Sequence, residues 1–170
     1  LGANEETRTG RLQVEKKGVT PSYPVIVIDD SPVKRLLENE IGVGSSVVDG
    51  FMRATSLLIA GKKVLVMGYG FCGSGVAAKF KAMGAHTMVY DPNPVLRLKA
   101  KVDGHIVGEL DDLLKQAHAV VTVTGQFDVL TAEHIPLLRD GVLLANAGHY
   151  GFEIDCEGMK KAADKVSIAR

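Results

Sequence analysis

The chain has 170 residues, of which 46% are hydrophobic and 24% charged, so it fits one folded domain with its own core rather than a disordered chain. The 20 lysine and arginine residues balance the 20 aspartate and glutamate residues, and the formal net charge at pH 7 is zero. This balance offers no excess positive charge to a nucleic acid or an anionic membrane, and no apolar run approaches the roughly 18 residues of a membrane span.

The ends of the chain suggest how it is organised. Residues 1–20 are polar, carry charges of both signs and are predicted to form a flexible leader. Residues 21–170 are predicted to form the folded domain. Because the first residue is Leu rather than Met, and the first residues lack the apolar core of a signal peptide, we expect a piece of a longer, cytoplasmic protein.

The two cysteines, Cys72 and Cys156, fit neither a disulfide framework nor a metal site. A chain with so few cysteines is typical of a reducing compartment. We therefore expect no bound metal, which again agrees with a cytoplasmic location.

The predicted domain opens with a short β-branched run, Pro24–Ile28, which is typical of a buried strand. Ser31 suits the N-cap of a following helix and Pro32 its first position, so a helix is expected over about 33–40.

Glycine and serine residues at 42–46 are expected to interrupt the chain after this helix. A second helix is predicted over about 46–59, where apolar residues recur at helical spacing. Gly61 is expected to close it.

From Lys63 onward, predicted strands and helices alternate. The strands are nearly continuous apolar runs at 63–67, 86–90, 105–107, 119–124 and 141–146. The helices between them cover 74–83, 94–102, 110–116 and 132–138. Because alternating elements form βαβ units and fully apolar strands are covered on both faces, the pattern predicts an α/β fold, a Rossmann-type doubly wound parallel sheet with helices on both faces.

A G-x-G-x-x-G motif at Gly68, Gly70 and Gly73 directly follows the strand at 63–67. In a dinucleotide-binding turn, the first glycine permits the tight bend, the second lets a pyrophosphate approach the backbone, and the third lets helix and strand pack closely. The N–H groups at the start of the next helix attract the phosphates. A glycine turn without a ligand is the alternative. A methyltransferase turn is disfavoured, because Val66 stands where an acidic residue is usual.

Asp91 supports the nucleotide interpretation of this turn. It ends the next predicted strand and lies 18 residues after Gly73, close to the usual spacing of about 20. A carboxylate there accepts hydrogen bonds from the adenosine ribose and repels a 2′-phosphate, so NAD is predicted rather than NADP. The alternative is that Asp91 is a solvated loop acid.

Two further strand ends, Thr122–Gly125 and Asn146–His149, are polar where parallel sheets bind ligands. Their small residues and hydroxyls suit the ribose and amide of a nicotinamide, and His149 could carry a proton near neutral pH. Ordinary strand ends and a surface histidine are the alternative interpretation.

Lys34 and Glu38 are four residues apart on the first predicted helix and are therefore expected on one face. A solvated ion pair is the simple interpretation. However, the order Lys-then-Glu is the weaker one, and the helix dipole disfavours a lysine in the first turn. A lysine in a desolvated cleft beside a positively charged nicotinamide can act as a base.

Separate segments of the chain carry a family resemblance. They are Asp30–Asn39, Asp49–Thr55, Ala60–Val64, Gly68–Gly75, Asp91–Pro94, Asp103-Gly104, Thr122–Gly125 and Ala145–Asp155. In this order they resemble the cofactor domain of the S-adenosyl-L-homocysteine hydrolase (adenosylhomocysteinase) family. The resemblance runs from about Tyr23 to the C-terminus, and ordinary Rossmann domains lack its last segment.

The resemblance implies that the parent enzyme reversibly hydrolyses S-adenosyl-L-homocysteine to adenosine and L-homocysteine. In that family a tightly held NAD transiently oxidises the ribose 3′-hydroxyl, homocysteine is eliminated, water adds, and the ketone is reduced again. The resemblance implies catalytic roles for Lys34 and Glu38 beside the 3′-hydroxyl. It also implies roles for Asn39 near the nicotinamide and His149 near the reacting ribose.

The resemblance further implies cofactor contacts along one edge of the sheet. The residues concerned are Gly68, Gly70, Phe71, Cys72, Gly73, Asp91, Thr122, Val123, Thr124, Gly125, Asn146, Ala147, Gly148 and His149. The family's substrate domain and C-terminal tail are absent from this chain, so the chain alone is expected to bind NAD without turning over substrate. The parent enzyme is expected to be a homo-oligomer (a tetramer in the family) with a small-molecule substrate.

The chain also departs from the family pattern. About ten residues near 13–22 look inserted, and the substitutions are Asp29 for Asn, Glu38 for Asp, Ile41 for Tyr, Val43 for Cys or Thr, and Tyr150-Gly151 for Phe-Asp. A longer acid at position 38 could shift the site geometry by about 1 Å, so the substrate could be a related adenosine derivative. Two other functions stay open: a non-catalytic NAD-binding regulatory module, and the cofactor domain of a 2-hydroxyacid-type dehydrogenase.

Overall fold

The computed structural model describes residues 1–149 and 151–167. Its strands are β1 (Ala3–Glu5), β2 (Val25–Val27), β3 (Lys63–Met67), β4 (His86–Tyr90), β5 (Ile106–Val107), β6 (Ala119–Thr122) and β7 (Leu143–Asn146). Its α-helices are α1 (Arg8–Lys16), α2 (Pro32–Lys34), α3 (Val43–Thr55), α4 (Phe71–Ala82), α5 (Pro94–Val102), α6 (Leu110–Leu114) and α7 (Cys156–Ala162). Short 3₁₀ helices cover Ile28–Asp30, Ala132–Leu137 and Gly151–Glu153, and a π-helical segment covers Arg35–Gly42. Within the described ranges, no helix combines the length and the apolar composition that crossing a membrane requires.

The central sheet consists of parallel strands in the order β5-β4-β3-β6-β7. At the carboxyl end of β3, Met67 pairs with Tyr90 of β4 on one side and with Thr122 of β6 on the other, and Thr122 pairs with Asn146 of β7. The carboxyl ends of these strands therefore lie at one edge of the sheet. The strand order reverses between β3 and β6, which is where open α/β sheets bind their ligands. The predicted fold class is confirmed.

Both faces of the sheet are covered, as the apolar strands predict. Because side chains alternate along a strand, Val64 and Val66 of β3 pack with Phe80 of α4 in one cluster, while Leu65 and Met67 pack in a second cluster. The first cluster lies beneath α3, α4 and α5, and the second lies beneath α6 and α7. The glycine turn after β3 is thus anchored by the central strand of the core.

The region predicted as two helices with a break between them is one uninterrupted helical stretch. The elements α2, Arg35–Gly42 and α3 follow one another directly, so the break predicted at 42–46 is wrong. Gly44 is buried there, and a β-carbon on it would lie 2.5 Å from the carbonyl oxygen of Gly75 in α4. The glycine therefore permits close helix packing and does not end a helix.

Other boundaries shift for identifiable reasons. Helix α3 ends at Thr55 because Ser56 adopts a left-handed conformation with a φ of 52°, so Gly61 does not close this helix. The predicted helix near 132–138 is a 3₁₀ helix that contains Pro136, and proline lacks the amide hydrogen that an α-helix uses. Ser31 precedes α2 but makes no side-chain capping bond. The strands of the central sheet agree with the prediction to within two residues at each end.

The predicted leader contains β1 and α1, which the local sequence pattern did not predict. Strand β1 pairs in parallel with β2, with Asn4 opposite Ile26. The side chain of Thr7 caps α1 by accepting the N–H of Gly10 at 2.9 Å. The strand predicted at 24–28 is therefore present, but it is not buried, since Ile26 is 65% exposed. The boundary between residues 20 and 21 stays a prediction.

Candidate functional site

The glycine turn connects β3 to α4, and its glycines meet different surroundings. Gly68 has a φ of 99°, a left-handed conformation, and a β-carbon on it would lie 2.8 Å from the carbonyl oxygen of Val123. A β-carbon on Gly73 would collide with the carbonyl oxygen of Gly68, whereas one on Gly70 would meet no atom within 4 Å. The turn thus excludes side chains where backbone packs on backbone. It leaves open space at the middle glycine, where a pyrophosphate would approach.

Asp91 is joined directly to this turn. Its Oδ2 accepts the N–H of Tyr69 at 2.7 Å, and its Oδ1 accepts the N–H of Asn93 at 2.8 Å. Asp91 is only 7% exposed. The two bonds hold the carboxylate beside the turn, and each oxygen keeps a further lone pair that can accept a ribose hydroxyl.

A cavity of about 370 Å³ opens at this edge of the sheet. Gly68, Gly70 and Asp91 line one side of it, and Thr124 lines the side near β6. A dinucleotide binds across the reversal of strand order in such sheets, so the cavity, the glycine turn and the carboxylate fit NAD. Arg8 of α1 also lines the cavity. The sequence interpretation missed Arg8, because no local pattern relates α1 to a turn so far along the chain.

The predicted nicotinamide edge is tied together by hydrogen bonds between its two strand ends. The hydroxyl of Thr122 donates to Oδ1 of Asn146 at 3.1 Å, across β6 and β7. The N–H of Gly148 donates to the same oxygen at 2.8 Å. The two strand ends therefore form one surface. Their roles as cofactor contacts stay predictions.

Glu153 lies behind this surface, and the sequence interpretation missed it. It is 0% exposed. Its Oε2 accepts the N–H and the hydroxyl of Thr124, and its Oε1 accepts the N–H of Gly125, each at 2.8 Å. A β-carbon on Gly148 would collide with Oε1, so this glycine lets the loop after β7 lie against the carboxylate. A signal was available, since an acid within the largely apolar run 152–154 needs donors if it is buried.

Lys34 lies in a nearly solvent-free position, with its side chain 9% exposed and that of Asp29 7% exposed. Its Nζ donates to Oδ1 of Asn39 at 2.8 Å and lies 3.8 Å from Oδ1 of Asp29. The partner on the helix is thus five residues away, not four as the predicted pairing with Glu38 requires. The reason is the π-helical winding of Arg35–Gly42, in which residues five apart line up. Glu38 itself is exposed.

The surroundings of Cys72 show that these side chains lie beside the glycine turn. Burial raises the pKa of the Cys72 thiol, the positive charge of Lys34 lowers it, and the negative charges of Asp29 and Glu38 raise it. Phe71, the first residue of α4, is 50% exposed. The fold therefore brings Lys34 and Glu38 to the N-terminal end of α4, where the glycine turn begins the helix.

His149 is exposed in the loop after β7. The hydrogen bonds from Thr7 are the main cause of the lowered pKa of Glu5, and the charge of His149 contributes to it. This contribution places β1 near the loop after β7. Tyr150, one of the departures from the family pattern, lies outside the described residues. The catalytic role of His149 stays a prediction.

We expect Asp91→Ala to weaken NAD binding by about tenfold or more, because the ribose loses a charged acceptor. NADP binding should fall less, since the variant also loses the repulsion of the 2′-phosphate. Titration of the purified protein with each cofactor measures both affinities. Asp112→Ala, which removes an exposed acid, is the matched control. An equal loss for NAD and NADP would contradict the assigned role of Asp91.

Similarity to known proteins covers nearly the whole chain. The family model of the S-adenosyl-L-homocysteine hydrolase NAD binding domain matches residues 39–170. An adenosylhomocysteinase of Archaeoglobus fulgidus is 42% identical over 172 aligned residues, which cover 99% of this chain and 42% of that protein. An S-inosyl-L-homocysteine hydrolase of Methanopyrus kandleri is 41% identical over 167 residues, which cover 97% of this chain and 39% of that protein. The chain thus spans about two fifths of the length of these curated relatives.

Solved structures share the fold at low sequence identity. The dipicolinate synthase of Bacillus halodurans aligns with a TM-score of 0.74 at 16% identity, over 99% of this chain and 57% of that chain. The apo D-lactate dehydrogenase of Escherichia coli aligns with a TM-score of 0.58 at 18% identity, over 88% of this chain and 51% of that chain. At such identities the likeness concerns the fold alone.

The family match and the motifs agree along the chain. The matched residues include the glycine turn, Asp91 and both polar strand ends. A 2-hydroxyacid-type dehydrogenase shares the fold but does not account for the relatives above 40% identity. This chain belongs to the S-adenosyl-L-homocysteine hydrolase family and forms an NAD-binding domain of that family.

Proposed function

We propose that this chain is the cofactor domain of an enzyme that reversibly hydrolyses S-adenosyl-L-homocysteine, or its inosine counterpart, to L-homocysteine and the free nucleoside. The observation that carries the proposal is the identity of 42% and 41% to relatives named for each of these two substrates. Adenosine and inosine differ at the purine, with an amino group in one and an oxo group in the other. The near equality of the two identities leaves this choice to experiment.

The proposed division of labour assigns redox chemistry to the cofactor and positioning to the protein. NAD, when bound, supplies the transient oxidation of the ribose 3′-hydroxyl. The glycine turn receives the pyrophosphate, and Asp91 accepts a hydrogen bond from the adenosine ribose of the cofactor. These assignments are supported by the open space at Gly70 and by the burial of Asp91 beside the turn.

Lys34 is proposed to hold, at Nζ, the proton that leaves the 3′-hydroxyl. Asn39 Oδ1, 2.8 Å from Nζ, orients the lysine, and Asp29 Oδ1 lies 3.8 Å away on the other contact. Because the Lys34 side chain is 9% exposed, little solvent competes for that proton. Glu38 and His149 are assigned to the same ribose, and the extra methylene of Glu38 relative to the usual Asp lengthens its reach.

The intact protein is proposed to work as a homo-oligomer in the cytoplasm, on a small-molecule substrate and without a nucleic-acid or membrane partner. The zero net charge supports this, because neither polyanion is attracted to a neutral surface. The pocket for the rest of the substrate is assigned to the part of the protein that corresponds to the remaining length of the relatives.

The test is release of homocysteine by the full-length protein, purified with NAD and supplied with S-adenosylhomocysteine or S-inosylhomocysteine in separate reactions. We expect a free thiol from at least one substrate, and the faster reaction identifies the purine. Lys34→Gln should retain NAD and lose release, whereas Lys101→Gln, a change at an exposed lysine, should not. If the NAD-loaded protein releases no thiol from either substrate, the proposal is wrong and a non-catalytic NAD-binding module is favoured.

A further inference from the structure

The loop after β6 uses its own hydrogen-bond donors internally. The N–H of Val123 donates to the carbonyl oxygen of Met67, and the N–H of Gln126 donates to the hydroxyl of Thr124. Between them, the N–H groups of Thr124 and Gly125 both donate to the carboxylate of Glu153. The backbone of residues 123–126 can therefore offer a ligand only acceptors.

Carbonyl acceptors suit one half of NAD better than the other. The ribose hydroxyls and carboxamide N–H groups of the nicotinamide half are donors, whereas phosphates need donors from the protein. The carbonyl oxygen of Val123 lies against Gly68, and both residues line the 370 Å³ cavity. The acceptor side of the loop thus borders the cavity, on the side away from the adenosine contact at Asp91.

The carboxylate of Glu153 is held firmly. The N–H of Leu130 donates to the carbonyl oxygen of Glu153 at 3.0 Å, and the N–H of Asp128 donates to that of Phe152 at 2.9 Å, so both ends of the loop are tied to the 152–154 segment. No ion pair among residues 1–149 and 151–167 includes Glu153. Burying a carboxylate that only neutral donors satisfy is costly, and an apolar side chain would avoid that cost. The charge is therefore understood best through the donors that it orients.

We propose that Glu153 is a positioning residue that fixes the Thr122–Gly125 loop, so that its carbonyl groups receive the nicotinamide half of NAD. The inference rests on the proposed assignment of this loop to the cofactor. It adds a residue that touches neither the glycine turn nor Asp91 and that acts through Thr124 and Gly125.

Glu153→Gln in the full-length protein tests this role, because the amide has nearly the same volume and keeps one oxygen for Thr124 while it turns an NH₂ group toward the N–H of Gly125. We expect the Kd for NAD to rise about tenfold. The Kd for ADP, which lacks the nicotinamide ribose and nicotinamide, should stay within about twofold. Glu133→Gln, a change at an exposed acid, is the matched control and should alter neither value.

A general loss of structure would weaken NAD and ADP by the same factor, and that outcome would overturn the proposal. An unchanged Kd for NAD would also overturn it. Should Glu153→Gln fail to fold, Thr124→Val removes only the hydroxyl bond to Glu153 and the one from Gln126, and it should weaken NAD about threefold without affecting ADP. These titrations need no turnover, so a protein that released no homocysteine would refute the proposed function and leave the comparison of NAD with ADP intact.

Discussion

Replacing Gly75 by alanine is expected to lower the free energy of unfolding by about 2 kcal/mol or more. Gly75 lies in α4 where this helix crosses the π-helical segment, and a β-carbon on it would collide with the carbonyl group of Glu40. Gly44 approaches Gly75 from the other side in the same way. Because backbone lies on both sides, no side-chain rotation can relieve the collision, and the helices must move apart.

The matched control is Gly50→Ala, in the interior of the neighbouring helix α3. A β-carbon on Gly50 would meet no atom within 4 Å, so alanine should stabilise the helix by up to about 1 kcal/mol through its higher helix propensity. Urea unfolding of the full-length protein and both variants gives the comparison. A Gly75→Ala variant as stable as the parent would show that the two helices are not packed as described. Since Asn39 lies on the segment that must move, substrate turnover should fall with stability in Gly75→Ala.

The second large effect is expected in the glycine turn, where Gly70→Ala and Gly73→Ala should fail in different ways. A methyl group on residue 70 points into open space, so the stability of the cofactor-free protein should change by no more than about 0.5 kcal/mol. The same methyl group occupies the approach of the pyrophosphate, and NAD affinity should fall by about tenfold or more. A methyl group on residue 73 collides with the carbonyl oxygen of Gly68, so both stability and NAD affinity should fall.

Thermal unfolding without NAD, followed by titration with NAD, separates the two variants. Gly151→Ala, where a β-carbon also meets open space outside the turn, controls for the loss of a glycine as such. If Gly70→Ala bound NAD as tightly as the parent, the pyrophosphate would have to lie elsewhere. If Gly70→Ala destabilised the cofactor-free protein as much as Gly73→Ala, the open space at residue 70 would be in doubt.

The central sheet was predictable because its signals are local. Runs such as 63–67 and 86–90 are apolar at every position but one or two, and each is followed within a few residues by a helix or a glycine turn. Parallel pairing then places all the strand ends at one edge, so the closeness of Asp91 to the glycine turn follows from topology alone. The spacing of glycines and acid was sufficient to indicate NAD.

The helical stretch that carries Lys34 was not predictable in the same way. Gly42 and Gly44 are ordinary helix breakers in an isolated sequence, but Gly44 is kept helical because α4 needs the space that its missing side chain leaves. The π-helical winding likewise depends on packing, and it replaces the expected partner of Lys34 by Asn39. An energy that comes from a contact between distant segments leaves no local pattern.

Length, composition and the glycine motif were enough to establish a neutral α/β domain with a turn for NAD, because strand patterning and glycine spacing act over a few residues. The buried carboxylate of Glu153, the approach of Arg8 to the cavity and the pairing of β1 with β2 arise only when the chain has folded. Each joins segments that are far apart or whose residues look ordinary in isolation. A hydrogen bond or a backbone collision depends on three-dimensional distance, and sequence separation says little about that distance.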